Sequence, residues 1–101
     1  MSVFVTIRIT GDTALFRRSL TERKDDFAAI AQRARGKGGL HHRFGVGDGY
    51  VLVVDEWESV DAFQAFFGDP QLQTFIGSVG ANTSMQPEIT VAEAIDSPDA
   101  Y

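Results

Sequence analysis

Alternation opens the chain. Val3, Val5, Ile7 and Ile9 fall on one side of an extended segment, and Phe4, Thr6 and Arg8 on the other. This is the period-2 signature of a strand with one strongly apolar face. Gly11 interrupts it. Asp12 or Thr13 can then cap a helix by accepting from its free backbone N–H groups. The period lengthens accordingly: Phe16, Leu20, Phe27, Ile30, Ala31 and Ala34 form a helical stripe over about residues 13–35. A straight helix of that length would span roughly 33 Å at 1.5 Å per residue, longer than the strands. The stripe also lapses over the wholly polar residues 21–26, so a bend or break is expected near residues 21–25. Arg33 and Arg35 suit the negative end of the helix dipole, and Gly36 suits the left-handed position just beyond a helix end.

Asp48-Gly49 lies between Leu40–Val46 and Tyr50–Trp57. Asp-Gly between β-rich runs predicts a hairpin with a type I′ turn, which needs positive φ at both central residues. Gly45 and Gly47 leave room for a bulge or a longer loop. With a two-residue turn, Phe44 lies opposite Val53, His42 opposite Asp55, and Leu40 opposite Trp57. One bulge would move one strand's set to the other face. In the second strand Val51 and Val53 point one way and Leu52 and Val54 the other, so both faces need cover. Ser59 then caps a helix with Val60, Phe63 and Phe67 on one side and Ala62 and Phe66 beside them. Gly68 ends or bends it. Asp69-Pro70 restarts a helix as cap and first residue, with Leu72, Phe75, Ile76 and Val79 inside and Gly77 and Gly80 at its end. Glu88–Ile95 alternates again and reads as the last strand. Residues 96–101 read as a flexible C-terminal tail.

The order is β-α-β-β-α-β. It predicts an α+β, ferredoxin-like domain over residues 1–95, with a four-stranded antiparallel sheet, helices on one face, and the first and third strands central. The chain has helix enough for one face only. The open face therefore predicts a homodimer with two sheets packed face to face, since Leu52 and Val54 in water would form an unusually large apolar patch.

Composition narrows the classes. A chain of 101 residues makes one domain and buries roughly 60–70% of its unfolded surface. Without cysteine it has no disulfide and no thiolate metal site, which fits a reducing cytoplasm. The net charge is −5 with no clustered basic stripe, so nucleic acid is not an expected partner. No apolar run approaches the roughly 20 residues of a membrane span. The first ten residues have neither a basic region nor a small-residue cleavage site, so no signal peptide is expected.

Few residues carry chemistry. His41 and His42 are neighbours on a strand, so they point to opposite faces and cannot chelate one metal there. No metal or cofactor is expected. In the predicted register His42 shares a face with Leu40, Phe44, Val51, Val53, Asp55 and Trp57. A carboxylate bonded to one imidazole nitrogen fixes the tautomer and leaves the other nitrogen to act as a general base or to bind a ligand. The same pair can equally serve to satisfy two buried polar groups and hold the register. Trp57 reads as core or as a pocket wall, and Phe63, Phe66 and Phe67 read as helix core or as a ligand box. The glycines at 45, 47 and 49 join two strands and form no phosphate loop.

Three stretches carry a resemblance: Gly39-Leu40-His41-His42-Arg43-Phe44, Val54-Asp55-Glu56-Trp57-Glu58-Ser59, and Phe63-Gln64-Ala65-Phe66-Phe67 with Pro70 following. With these the chain resembles the dimeric α/β-barrel superfamily, and within it the antibiotic-biosynthesis-monooxygenase-like domains, over residues 3–95. The family includes cofactor-independent monooxygenases of polyketide tailoring and haem-degrading monooxygenases. The resemblance implies a cavity between sheet and helices with Trp57 in its wall. Monooxygenase members also use an asparagine from the first strand, where this chain has Val5, Thr6, Ile7 and Arg8. The haem-degrading branch uses a histidine late in the second helix, where this chain has Gln73, Thr74, Phe75 and Ile76, so haem is not expected. What the resemblance implies is a monooxygenase that takes a small aromatic or polycyclic ligand without metal or flavin. Leu40, Phe44, Trp57, Phe63 and Phe67 would form the pocket, and His42 and Asp55 the catalytic pair. The alternative is a non-catalytic binding or structural dimer.

Overall fold

The computed structural model describes residues 1–101. Its elements are β1 (Val3–Thr10), α1 (Thr13–Glu22), α2 (Lys24–Gly36), β2 (Gly39–Gly47), β3 (Tyr50–Trp57), α3 (Val60–Phe67), α4 (Pro70–Ser78) and β4 (Glu88–Glu93). The strands form one antiparallel sheet in the order β2-β3-β1-β4. This is the ferredoxin-like arrangement, with β1 and β3 central.

Short-range signals set the helix starts. Asp12, Ser59 and Asp69 each accept a hydrogen bond from a backbone N–H in the first turn of α1, α3 and α4. The long first helix breaks at Arg23, inside the polar stretch, into α1 and α2. Two local expectations need correction. Gly36 is still helical; the left-handed residue is Gly38, with φ 108°. The hairpin turn is not type I′, because Asp48 keeps a negative φ and only Gly49 crosses over, to 79°.

The hairpin keeps the predicted pairing at His42–Asp55 and Phe44–Val53 but not at its far end. Gly39, not Leu40, lies opposite Trp57, because a bulge between Gly39 and His41 leaves Leu40 unpaired. Leu40 is consequently 44% exposed and does not face Trp57 across the strands. Gly39 suits that pairing because its backbone passes close to α2: a Cβ there would meet the Ala34 carbonyl oxygen at 3.0 Å.

The helix-side face of the sheet holds the core. Val3, Val5 and Ile7 of β1 pack with Val53 and Trp57 of β3 and Phe63 of α3. A second group, Phe16, Val51 and Val79, packs at the other end. The opposite face is open: Phe4 is 49% and Val54 43% exposed. The edge strand β4 is exposed on both its faces. No helix is long and apolar enough to cross a membrane.

Where α4 ends, its loop is bonded to the end of β1: Asp12 donates its N–H to the Gly80 carbonyl, and Asn82 donates to Thr10. Gly80 makes this approach at φ 120°, and a Cβ on it would lie 2.6 Å from the Asp12 carbonyl oxygen. Gly80→Ala is therefore expected to lose about 1–3 kcal/mol from backbone strain alone, and more from the clash. Gly36→Ala, in a helical position with nothing within 4 Å, is expected to be neutral or to gain up to about 1 kcal/mol. Urea unfolding of the two variants checks both; equal stabilities would contradict this account.

Candidate functional site

Helix α2 has an apolar stripe and yet buries no residue. The reason is a cavity of about 610 Å³ between the helices and the sheet. Its floor is Ile7, Val51, Val53, Asp55 and Trp57, and its roof includes Phe27, Ala28, Ile30, Ala31 and Ala34 of α2 and Phe63, Phe67, Phe75 and Ile76 of α3–α4. A sealed void of that size would cost on the order of 15 kcal/mol at about 24 cal/mol per Å³, as much as the whole stability of a domain. The cavity is tolerable because it opens to solvent at the start of β2, where Leu40 and the His42 side chain are 44% and 43% exposed.

Aromatic rings hold the roof up at both ends. Phe16, Phe27, Phe44 and Phe75 meet edge to face at centroid distances of 5.0–6.1 Å. At the other end Trp57 lies against Phe63 and Phe66, and Phe63 stacks on Phe67 at 5.5 Å. Between the two groups α2 presents Ala28, Ile30 and Ala31 to the cavity, while Ala34 packs against the cluster that holds Trp57.

The polar centre is a three-residue chain on β2 and β3. Asp55 is 8% exposed. One carboxylate oxygen accepts from the Trp57 Nε1–H at 3.0 Å, and the other lies 2.6 Å from His42 Nδ1. A carboxylate only accepts, so Nδ1 carries a proton, and in the neutral ring Nε2 then keeps its lone pair. The His42 ring also packs edge-on against Phe44, with centroids 4.5 Å apart. This arrangement holds one tautomer and one ring orientation at the cavity mouth, which suits proton abstraction or a hydrogen bond to a ligand.

The structure thus brings His42, Asp55, Phe44, Trp57, Phe63 and Phe67 around one cavity, with Leu40 displaced to its mouth. His41 also borders the cavity, but its side chain is 80% exposed, with Nε2 4.0 Å from Glu56. Sequence reasoning missed the contributions of Asp12, Ala28, Ala31 and Arg35 to the lining. The recurrence of alanine, in place of larger residues, along the inner side of α2 was the available signal. No three His, Asp or Glu side chains that could hold a metal ion converge in the chain.

Comparison with solved structures finds this architecture over the full chain. SnoaB from Streptomyces nogalater, a cofactor-independent oxygenase, superposes with a TM-score of 0.63 at 17% identity, covering 98% of each chain. An antibiotic biosynthesis monooxygenase has the same fold, with a TM-score of 0.63 at 10% identity. The ActVA-Orf6 monooxygenase of Streptomyces coelicolor, in complex with nanaomycin D, has a TM-score of 0.69 at 16% identity, covering 99% of this chain and 93% of the other. Rv0793 from Mycobacterium tuberculosis has a TM-score of 0.62 at 17% identity, covering 98% and 100%. No family model matches the chain, and no curated protein does. At these identities the likeness is one of fold.

The geometry makes a spectroscopic prediction. Long-range 15N NMR of neutral His42 is expected to show the Nδ1–H tautomer. Asp55→Asn, which leaves a buried amide in place of an acceptor-only group, is expected to scramble that tautomer and to lose about 1–3 kcal/mol of stability. An Nε2–H tautomer in the unmodified protein would refute the assigned bonding.

Proposed function

We propose that the cavity binds a small aromatic or polycyclic molecule and that the protein acts on it as a cofactor-independent monooxygenase. The observation that carries this reading is the oriented His42–Asp55 pair at the mouth of an aromatic-walled cavity of about 610 Å³, a size that holds a ligand of several fused rings. The oxygenase activity of SnoaB and the nanaomycin D bound to ActVA-Orf6, two proteins of the same fold, agree with it. In this scheme His42 Nε2 takes a proton from a phenol-like or anthrone-like substrate. The electron-rich anion gives an electron to dioxygen, and the two recombine as a peroxide. His42 returns its proton to the peroxide, and loss of water with the remaining hydrogen on that carbon leaves a carbonyl, so that one oxygen atom enters the product and the other leaves as water. Trp57 stacks on the rings and, through Asp55, keeps His42 aligned.

A second reading, a binding protein without turnover, has one observation in its favour. Strand β1 offers the cavity only Ile7 and Ile9, with no polar side chain to hold the developing anion. Both readings include a homodimer through the open sheet face, supported by Phe4 and Val54, which one chain leaves half-exposed.

Anthrone oxidation separates the two readings. Turnover is expected to fall about 10²–10⁴-fold in His42→Ala, the usual contribution of a general base, while thermal stabilisation by an aromatic ligand persists. Undiminished turnover in that variant would remove His42 from the scheme, and ligand stabilisation with no turnover in either protein would favour the binding reading. The dimer has its own check: sedimentation is expected to show two copies, and Val54→Asp is expected to dissociate them. A single-copy species for the unmodified protein would defeat that part of the proposal.

A further inference from the structure

Charge is distributed unevenly along the cavity. Register gives its two ends: Val3, Trp57 and Gly39 lie abreast at one end of the sheet, and Thr10 and Tyr50 at the other. Asp12 lines the cavity just past Thr10, where its carboxylate accepts from the Leu15 N–H. Arg35 lines it at the opposite end. The last turn of α2 packs against the start of β2, with the Ala34 carbonyl oxygen 3.0 Å from where a Gly39 Cβ would lie, and this sets Arg35 at the mouth that Leu40 and His42 share.

Arg35 is on the cavity side of its helix. Ala28, Ala31 and Arg35 follow one another at i, i+3 and i+7 and all three line the cavity. The helix dipole would favour a cation anywhere in this last turn, and Arg33, in the same turn, answers that need without lining the cavity. Arg35 itself enters none of the chain's ion pairs. Asp55, the one carboxylate lining that end, is occupied on both oxygens by His42 and Trp57. Glu58, whose carboxylate lies near Gly38, neither lines the cavity nor pairs with Arg35. The cavity therefore carries, at the end where β2 begins, a guanidinium without an ion-pair partner, on a protein whose net charge is −5.

We propose that the ligand is an acidic aromatic molecule: Arg35 binds its carboxylate at the mouth, and the ring system extends inward toward Asp12. A planar guanidinium fits a carboxylate with two parallel N–H···O bonds. The opposed charge of Asp12 disfavours the reversed orientation. This inference rests on the reading of the cavity as an aromatic-binding site and specifies its ligand class.

Two probes of one shape test it: 9-anthracenecarboxylate and 9-anthracenemethanol, titrated into the full chain at neutral pH and followed by fluorescence. The general repulsion of an acidic protein favours the alcohol, so the sign of the preference is diagnostic. The unmodified protein is expected to bind the carboxylate about tenfold more tightly, with the advantage shrinking at high salt. Arg35→Ala is expected to erase the advantage, Arg35→Lys to retain part of it, and Arg35→Glu to invert it, while affinity for the alcohol stays level in all of them. Binding of the alcohol with no preference for the carboxylate overturns the inference alone, as does a preference that survives in Arg35→Ala. Binding of neither probe overturns the cavity reading and the inference with it.

Discussion

Aromatic contacts that prop the helices away from the sheet govern this structure. Phe16, Phe27, Phe44 and Phe75 meet edge to face at one end, and Trp57, Phe63, Phe66 and Phe67 pack at the other. Rings are rigid and incompressible at close packing, so each group acts as a spacer. The alanines of α2 between them cannot fill the gap. The core divides into two clusters for the same reason, and the space between them is the candidate site. A helix whose inner side was lined with leucine would close that space and stabilise the domain, at the expense of any ligand.

Strand β3 ties the spacers to the chemistry. It is central, so its backbone is bonded on both sides and its side chains are fixed in direction. Asp55 and Trp57 are two residues apart on it and therefore share the helix-side face. The indole reaches one carboxylate oxygen while the other meets His42 from β2. A buried carboxylate left without partners would be costly; here each oxygen has a donor, and in satisfying them the fold also orients a histidine. The pair is structural and chemically competent at once, which is why its two roles need separate experiments.

The other face of the sheet follows a different logic. It carries Phe4, Leu52 and Val54 at its centre, with Arg8 stacked over Tyr50 at 3.8 Å and Glu56 accepting from the Ser2 hydroxyl toward the rim. An apolar centre inside a polar margin is the usual form of a surface that meets another protein. The proposed dimer would cover it without disturbing the cavity, which lies across the sheet.

Local chemistry determined much of this protein before any tertiary contact. The period-2 runs of β1 and β3, the caps Asp12, Ser59 and Asp69, Pro70 at a helix start and the Asp48-Gly49 turn all act within a few residues, so the sequence alone sufficed to read the four strands, the helices between them, their order and the pairing of His42 with Asp55. Tertiary structure decided the rest. The bulge that displaces Leu40 arises where the start of β2 must pass the end of α2, and the left-handed residue falls at Gly38 because α2 runs through Gly36 and is capped by Lys37. The cavity itself is a relation among α1, α2, α3, α4 and the sheet, set by which side chains are long enough to touch. Arg35 reads from sequence as one more cation at a helix end; only packing against Gly39 makes it the charge at the mouth. Periodicity specifies which side of an element faces inward, whereas the distance between layers depends on side chains far apart in the chain.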